Sequence, residues 1–289
     1  MQRKMHPLEG IVAICALILV LFVSVGFAQA QDVRKIALRS SSALVQDAGS
    51  GETVFGKNAE AVVPIASITK LMTAMVILDR GLDLEEKITL SRDDAVAMKG
   101  SRSRLRTGLS LTRGDLLLLA LMSSDNRAAA ALGVSYPGGL ESFIDAMNAK
   151  AAVLDLNDSR FVEPTGLSPA NVSTAADLAK LVRGAHEYPL IREYSTKDRA
   201  TVRVTTGRST RAMQYGNTNG LVRSKYWDIE LSKTGYISEA GRCLVMHVRL
   251  AEKDLIVVLL DSWGKHSRIG DANRIRKWLE SQAASGRSS

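Results

Sequence analysis

The sequence predicts an α+β fold: an antiparallel sheet flanked by helices, with a mostly helical lobe inserted at about residues 90–186. Three patterns predict it. Strand signatures cluster towards the two ends of the chain, at residues 41–56 and 201–260. Helical spacing fills the middle. An amphipathic stretch at residues 268–281 closes the pattern. Strands, then helices, then strands and one helix is the order of a sheet layered with helices, not of alternating βαβ units.

Taken in order, the chain opens on a targeting segment. Arg3 and Lys4 precede a 17-residue apolar run at residues 11–27, and Ala28-Gln29-Ala30 is an A-x-A cleavage site. Cleavage of this 1–30 signal peptide leaves 259 of the 289 residues, read as one domain at 31–283 with a disordered tail at 284–289. Residues 41–47 and 52–56 flank a Gly-rich turn and read as a hairpin. Residues 68–78 form an apolar run long enough for a core helix. Thr112 caps a helix over residues 116–122, residues 125–132 are Ala-rich, and Leu140, Phe143, Ile144, Met147 and Ala151 recur at helical spacing. Ser173-Thr174 starts another helix. After Tyr194, residues 201–205 alternate as a strand. Residues 229–233 lead into a turn at Gly235, and residues 243–250 and 255–260 form a closing pair around 251–254.

Composition excludes several classes. The net charge is +8, and losing Arg3, Lys4 and Glu9 with the signal brings it to +7. The basic residues are dispersed, and aromatics make up 5%, too few for a stacking nucleic-acid surface. An anionic wall polymer suits this charge better. The densest basic cluster is Arg102, Arg104 and Arg106, whose role the sequence leaves open. His6, His186, His247 and His266 show no ligand spacing, so no metal site and no cofactor are expected. Cys15 leaves with the signal, and Cys243 reads as a buried thiol on a strand. No second apolar run is long enough to span a bilayer, so no membrane anchor is expected after cleavage.

Three short motifs carry the chemistry. Ser67-Ile68-Thr69-Lys70, Ser124-Asp125-Asn126 and Lys233-Thr234-Gly235 follow in that order, 57 and then 109 residues apart. S-x-x-K alone arises by chance about once in a chain this long, and Ser262-Trp263-Gly264-Lys265 also fits it. Ser262 ends an apolar strand, where residues three apart do not share a face. Ser67 instead precedes the helical run, where residues three apart are neighbours. Arg106-Thr107-Gly108 mimics the third motif but stands ahead of the second.

Serine plus lysine, a second serine and a second lysine resemble the acyl-transfer site of the low-molecular-mass penicillin-binding proteins, the D-alanyl-D-alanine peptidases. Glu163-Pro164-Thr165-Gly166-Leu167, Asn171 to Ala175, and Asn217 to Leu221 are similar to that family's intervening segments. The stretch at 231–246 is especially similar to the penicillin-binding protein 7/8 type, the D-alanyl-D-alanine endopeptidases. Only 54 residues follow Gly235, short of the second β domain and amphipathic anchor of carboxypeptidase members. The resemblance implies a β-lactamase/transpeptidase-like fold and a periplasmic serine hydrolase of peptidoglycan cross-links, acylated by β-lactam antibiotics. Carboxypeptidase action on stem pentapeptides, a class A-like β-lactamase and a non-catalytic penicillin-sensing or wall-binding domain remain alternatives.

In this reading Ser67 is the nucleophile and Lys70, neutral through burial and the nearby charge of Lys233, its base. Ser124 relays a proton to the leaving amine, and Asn126 contacts the substrate backbone. Lys233 and Thr234 bind a carboxylate beside the scissile bond, with Gly235 completing that motif. The backbone N–H groups of Ser67 and Tyr236 hold the oxyanion, a role for Tyr236 that rests on the resemblance.

Overall fold

A computed structural model describes residues 36–96 and 103–286. The expected signal peptide, Arg102 and the last residues of the expected tail lie outside the described residues. The main sheet is antiparallel with strand order β2-β1-β11-β10-β9. Its members are β1 (Ser40–Asp47), β2 (Thr53–Lys57), β9 (Asp228–Ile237), β10 (Gly241–Leu250) and β11 (Lys253–Ser262). The first and last parts of the chain thus meet, with Val45 opposite Val257. β11 is buried without a break from Leu255 to Leu260, so both its faces are covered. That is why its sequence shows an apolar run and not alternation.

The covering helices come from the middle and the end of the chain. α1 (Thr69–Asp79) is buried from Thr69 through Ile77, as a helix with apolar residues all round must be, and it carries Thr69, Lys70 and Thr73 into the interior with it. Beyond it lie the short α2 (Asp93–Val96), α3 (Arg113–Met122), α4 (Asn126–Val134), α5 (Gly139–Val153) and α6 (Ala175–His186). Thr112 caps α3 by accepting from Asp115 N, and Thr174 caps α6 by accepting from Asp177 N. α6 packs on β1, β9, β10 and β11. α7 (Pro189–Thr196) packs on β9, and α8 (Ser267–Gly286) packs on β1, β10 and β11.

The structure differs from the expected pattern in four places. A second antiparallel sheet, β4-β5-β7-β8, holds the strand expected at 201–205. That strand is β7 (Arg199–Thr206), paired with β8 (Ser209–Gly216) and joined by β4 (Lys87–Thr89) and β5 (Ser110–Thr112). β4 and β5 are three residues each, too short for periodicity to register. No turn occurs at Gly235: β9 continues to Ile237, with Gly235 opposite Cys243. The closing hairpin turns on Ala251 and Glu252 alone, both at positive φ (49° and 65°), the backbone of a two-residue turn more often filled by Asn-Gly. α8 extends to Gly286, three residues into the stretch expected to be a disordered tail.

Candidate active site

Ser67 sits inside a single 3-10 turn, Ala66–Ile68, that runs directly into α1. The segment before it is fastened to the stretch between α5 and α6. β3 (Val63–Pro64) pairs with β6 (Val172–Ser173), and Ile65 N donates to Asn171 O at 3.1 Å. Ala66 is held at φ +47°, a conformation that costs a non-glycine residue roughly 1–3 kcal/mol and persists where surroundings enforce it. Gly166 supplies part of that enforcement. It lies at φ +79°, and a Cβ there would fall 1.9 Å from Ala66 O and 2.8 Å from Ser67 N. Only glycine lets this loop reach the Ser67 backbone.

Lys70 lies one turn on and is fully buried. Its Nζ donates to Ser67 Oγ at 2.8 Å, Asn126 Oδ1 at 2.7 Å and Thr165 O at 2.5 Å. Burial brings its pKa down from 10.5 to about 7, against the smaller opposing pull of the Glu163 and Asp125 carboxylates. Removal of one proton then has a directed outcome. Thr165 O and Asn126 Oδ1 can only accept, so the two remaining N–H bonds stay with them. The freed lone pair faces Ser67, the one partner whose own O–H can turn to donate. A neutral Lys70 therefore turns its lone pair towards Ser67 Oγ.

The second and third motifs meet across the site. Ser124 is held at φ +57°, and Lys233 Nζ donates to its Oγ at 2.8 Å. Asp125 caps α4 through Ala128 N at 3.0 Å, so the Ser-Asp-Asn motif serves both as a helix cap and as a way of presenting Ser124. Lys233 is buried on β9, and its pKa falls well below 10.5 through burial, then through the charges of Lys70 and Arg268. Thr234 Oγ1 lies 2.7 Å from Thr218 Oγ1. Gly235 allows β9 to pass close to Ser67: a Cβ there would lie 3.0 Å from Ile65 O and 3.2 Å from Ser67 N. Tyr236 points outwards, 55% exposed, with the Arg242 guanidinium 4.5 Å above its ring.

The structure brings together Ser67, Lys70 and Asn126 in one cluster and Ser124, Lys233 and Thr234 in another. It also adds groups that the motifs do not contain. Thr165 supplies a carbonyl to Lys70, and Thr218 a hydroxyl to Thr234. Glu163 holds the loop: its carboxylate accepts from Thr165 N and Oγ1, Gly166 N and Asn171 Nδ2. These bonds commit Glu163 to its own loop, not to the Ser67 hydroxyl. The glycine at 166 was the available signal for a tight approach; Thr165 left none, because a backbone carbonyl has no residue signature.

The decoys fall elsewhere. Ser262 Oγ is buried 2.6 Å from Ser40 Oγ, and Lys265 is exposed. Arg106, Thr107 and Gly108 lie on an exposed turn. Arg104 stacks on Tyr215 at 4.6 Å and donates to Gln214 O. Cys243 is buried and unpaired, its thiol pushed up to about 11 by burial. The histidines behave less simply: His186 and His247, 61 positions apart, stack on one another beside Glu230.

Comparison with known proteins places this arrangement. A family model described as D-alanyl-D-alanine carboxypeptidase matches residues 28–264. A D-alanyl-D-alanine endopeptidase of Pseudomonas aeruginosa is 48% identical over 243 residues, 84% of this chain and 78% of that protein. One of Escherichia coli K12 is 47% identical over 245 residues, with the same coverage. Among solved structures, the Streptomyces K15 DD-transpeptidase superposes with a TM-score of 0.80 at 30% identity, covering 86% of this chain and all of that one.

Proposed function

The chain belongs to the D-alanyl-D-alanine carboxypeptidase family of serine hydrolases, and on that premise we propose that it is a peptidoglycan endopeptidase working through a Ser67 acyl-enzyme. The observation that carries the reading is the buried Lys70 amine, 2.8 Å from Ser67 Oγ with its other two partners fixed as acceptors. Neutral Lys70 takes the Ser67 proton as Oγ attacks the D-alanyl carbonyl. The oxyanion forms between Ser67 N–H and the N–H of Tyr236, on the strand that Gly235 brings alongside. The C–N bond then breaks, and Ser124, fed by Lys233, gives a proton to the departing amine. In the second half-reaction water adds to the acyl carbon, the C–Oγ bond breaks with one water proton returning to Ser67 Oγ, the D-alanyl product leaves as its carboxylate with its proton lost to solvent, and the proton Lys70 took up replaces the one Lys233 supplied.

The leaving amine of a D-alanyl-diaminopimelate cross-link stands on a D-centre that bears a carboxylate. Lys233 and Thr234 are the groups to bind it, and that negative charge favours protonated Lys233. A terminal D-alanine presents the same carboxylate, so carboxypeptidase action uses the same contacts; similarity to the two endopeptidases favours cross-links. A class A-like β-lactamase reading would need Glu163 to activate water for deacylation, and its carboxylate is already engaged with its own loop. We also assign the working compartment as the periplasm, from the 1–30 leader and the wall substrate. Among the described residues no helix is long and apolar enough to cross a membrane.

Digestion of purified sacculi by the mature chain tests the function. Cross-linked muropeptide dimers should be released as monomers, and fluorescent penicillin should label wild type but not Ser67→Ala. Labelling that survives Ser67→Ala would refute the assignment of the nucleophile. Unchanged dimers, with loss of terminal D-alanine, would replace endopeptidase by carboxypeptidase.

A further inference from the structure

Outside the Ser67 site, one cluster of side chains has no part in the peptidase chemistry. His186 ends α6, Glu230 lies on β9 and His247 on β10. His186 Nε2 is 2.7 Å and His247 Nδ1 is 3.2 Å from the same oxygen, Glu230 Oε2. The two imidazoles are stacked, with centroids 3.8 Å apart and planes within 11°.

Hydrogen bonding satisfies only half of this arrangement. The His186 contact is a good bond. His247 is 5% exposed, yet its Nδ1 has no hydrogen-bond partner, since the approach to Glu230 lacks the geometry for one. A buried ring nitrogen left without a partner carries a desolvation cost of about 1–3 kcal/mol. The backbone also shows a dedicated adjustment. His247 pairs with Leu231 and Val248 with Ile229, which leaves Glu230 as the extra residue of a β-bulge. Bulges re-aim a side chain that regular pairing would direct elsewhere.

We propose that His186, Glu230 and His247 bind one divalent zinc ion. Two imidazoles and a carboxylate form a donor set suited to zinc, with a fourth position open to water. The three ligand atoms already lie within 4.8 Å of one another. Tetrahedral zinc needs them about 3.3 Å apart, so closing the site asks for side-chain adjustment of about 1 Å. The metal would occupy the unpartnered lone pair of His247 and separate the two stacked rings. Access comes from a cleft of about 520 Å³ lined by His186, Glu187, Arg192, Glu193, Thr196 and Glu230. Three carboxylates against one guanidinium draw a cation into it. A bound ion would tie the end of α6 to β9 only three residues before Lys233, and so stiffen the strand that carries the third motif.

The test is titration of the untagged mature protein with zinc chloride, read by competition with a chromogenic chelator. One equivalent should bind, and the melting temperature should rise with zinc concentration. His186→Ala and Glu230→Gln should each weaken binding at least about tenfold. Fluorescent-penicillin labelling of both variants in excess chelator, compared with wild type under the same conditions, serves as the check that they fold. Absence of binding at about 100 μM zinc, or equal affinity in wild type and both folded variants, would overturn the proposal.

Discussion

The pH dependence of acylation follows directly from the burial of Lys70. Its pKa of about 7 means that the neutral, base-competent form grows as pH rises through that value. The neutral fraction is about a tenth at pH 6 and about nine tenths at pH 8, so the acylation rate should rise about tenfold across this window and then level off. A lysine at its ordinary 10.5 would be neutral to only about one part in a thousand at pH 7.4, and its rate would keep climbing about tenfold per unit beyond pH 8. Stopped-flow acylation by a chromogenic β-lactam separates the two. Glu163→Gln gives a second handle. The Glu163 charge holds the Lys70 pKa up, so neutralising it should move the midpoint to lower pH. The same shift has a stability consequence. The unfolded chain binds the lysine proton more tightly, so the folded state gains stability as pH rises from about 7 towards 10.5. A rate that climbs without a plateau to pH 9, or a Glu163→Gln midpoint displaced to higher pH, would remove Lys70 as the base.

Four further outcomes are expected. Lys70→Arg should fold but lose at least about a hundredfold in acylation rate, because a guanidinium does not release its proton at working pH; near-normal labelling would contradict the mechanism. Gly166→Ala should destabilise by more than about 3 kcal/mol in urea unfolding and suppress labelling, since its Cβ would meet the Ala66 carbonyl; a silent substitution would mean the loop does not press on the nucleophile segment. Ser262→Ala should retain full labelling while costing about 1 kcal/mol, the worth of its hydroxyl contact with Ser40; lost labelling would point to the wrong serine. Asp271→Ala should lower stability by about 3 kcal/mol with the labelling rate intact, because the buried carboxylate accepts from Ser40 N and Ser40 Oγ, both at 2.7 Å; thermal melts beside a labelling assay would expose any coupling to the site.

What the sequence made legible was whatever a side-chain pattern encodes locally. The run after Ser67 has apolar residues all round apart from Thr69, Lys70 and Thr73, so a buried helix with Lys70 one turn from Ser67 is legible directly. Thr112 and Thr174 announced their helices because a hydroxyl ahead of an acidic first turn is itself the capping device. The apolar blocks of β10 and β11 gave the closing hairpin. By contrast, β4 and β5 exist because they pair with each other and β5 docks on β7, and three residues carry no period of their own. Gly235 suggests a turn in sequence because glycine most often marks one; its real reason is the passage of Ile65 O and Ser67 N beside β9. A glycine demanded by a neighbour cannot be told from a glycine demanded by its own φ until the neighbour is placed.

The same logic explains why the Ser67–Lys70 cluster is legible in sequence and the histidine cluster is not. Ser67 and Lys70 are a local pair, and the other two motifs are each contiguous, so short patterns held most of the site before the chain was folded. His186 and His247 have no such shared pattern. They meet because α6 packs across β9 and β10, and because a single extra residue on β9 turns Glu230 towards them. Spacing in sequence predicts ligands only when one element supplies them, as two histidines on one helix would. Where three elements each contribute one group, the signal is a buried atom without a partner. At His247 Nδ1 that signal is present, 3.2 Å from a carboxylate that already accepts from a second imidazole.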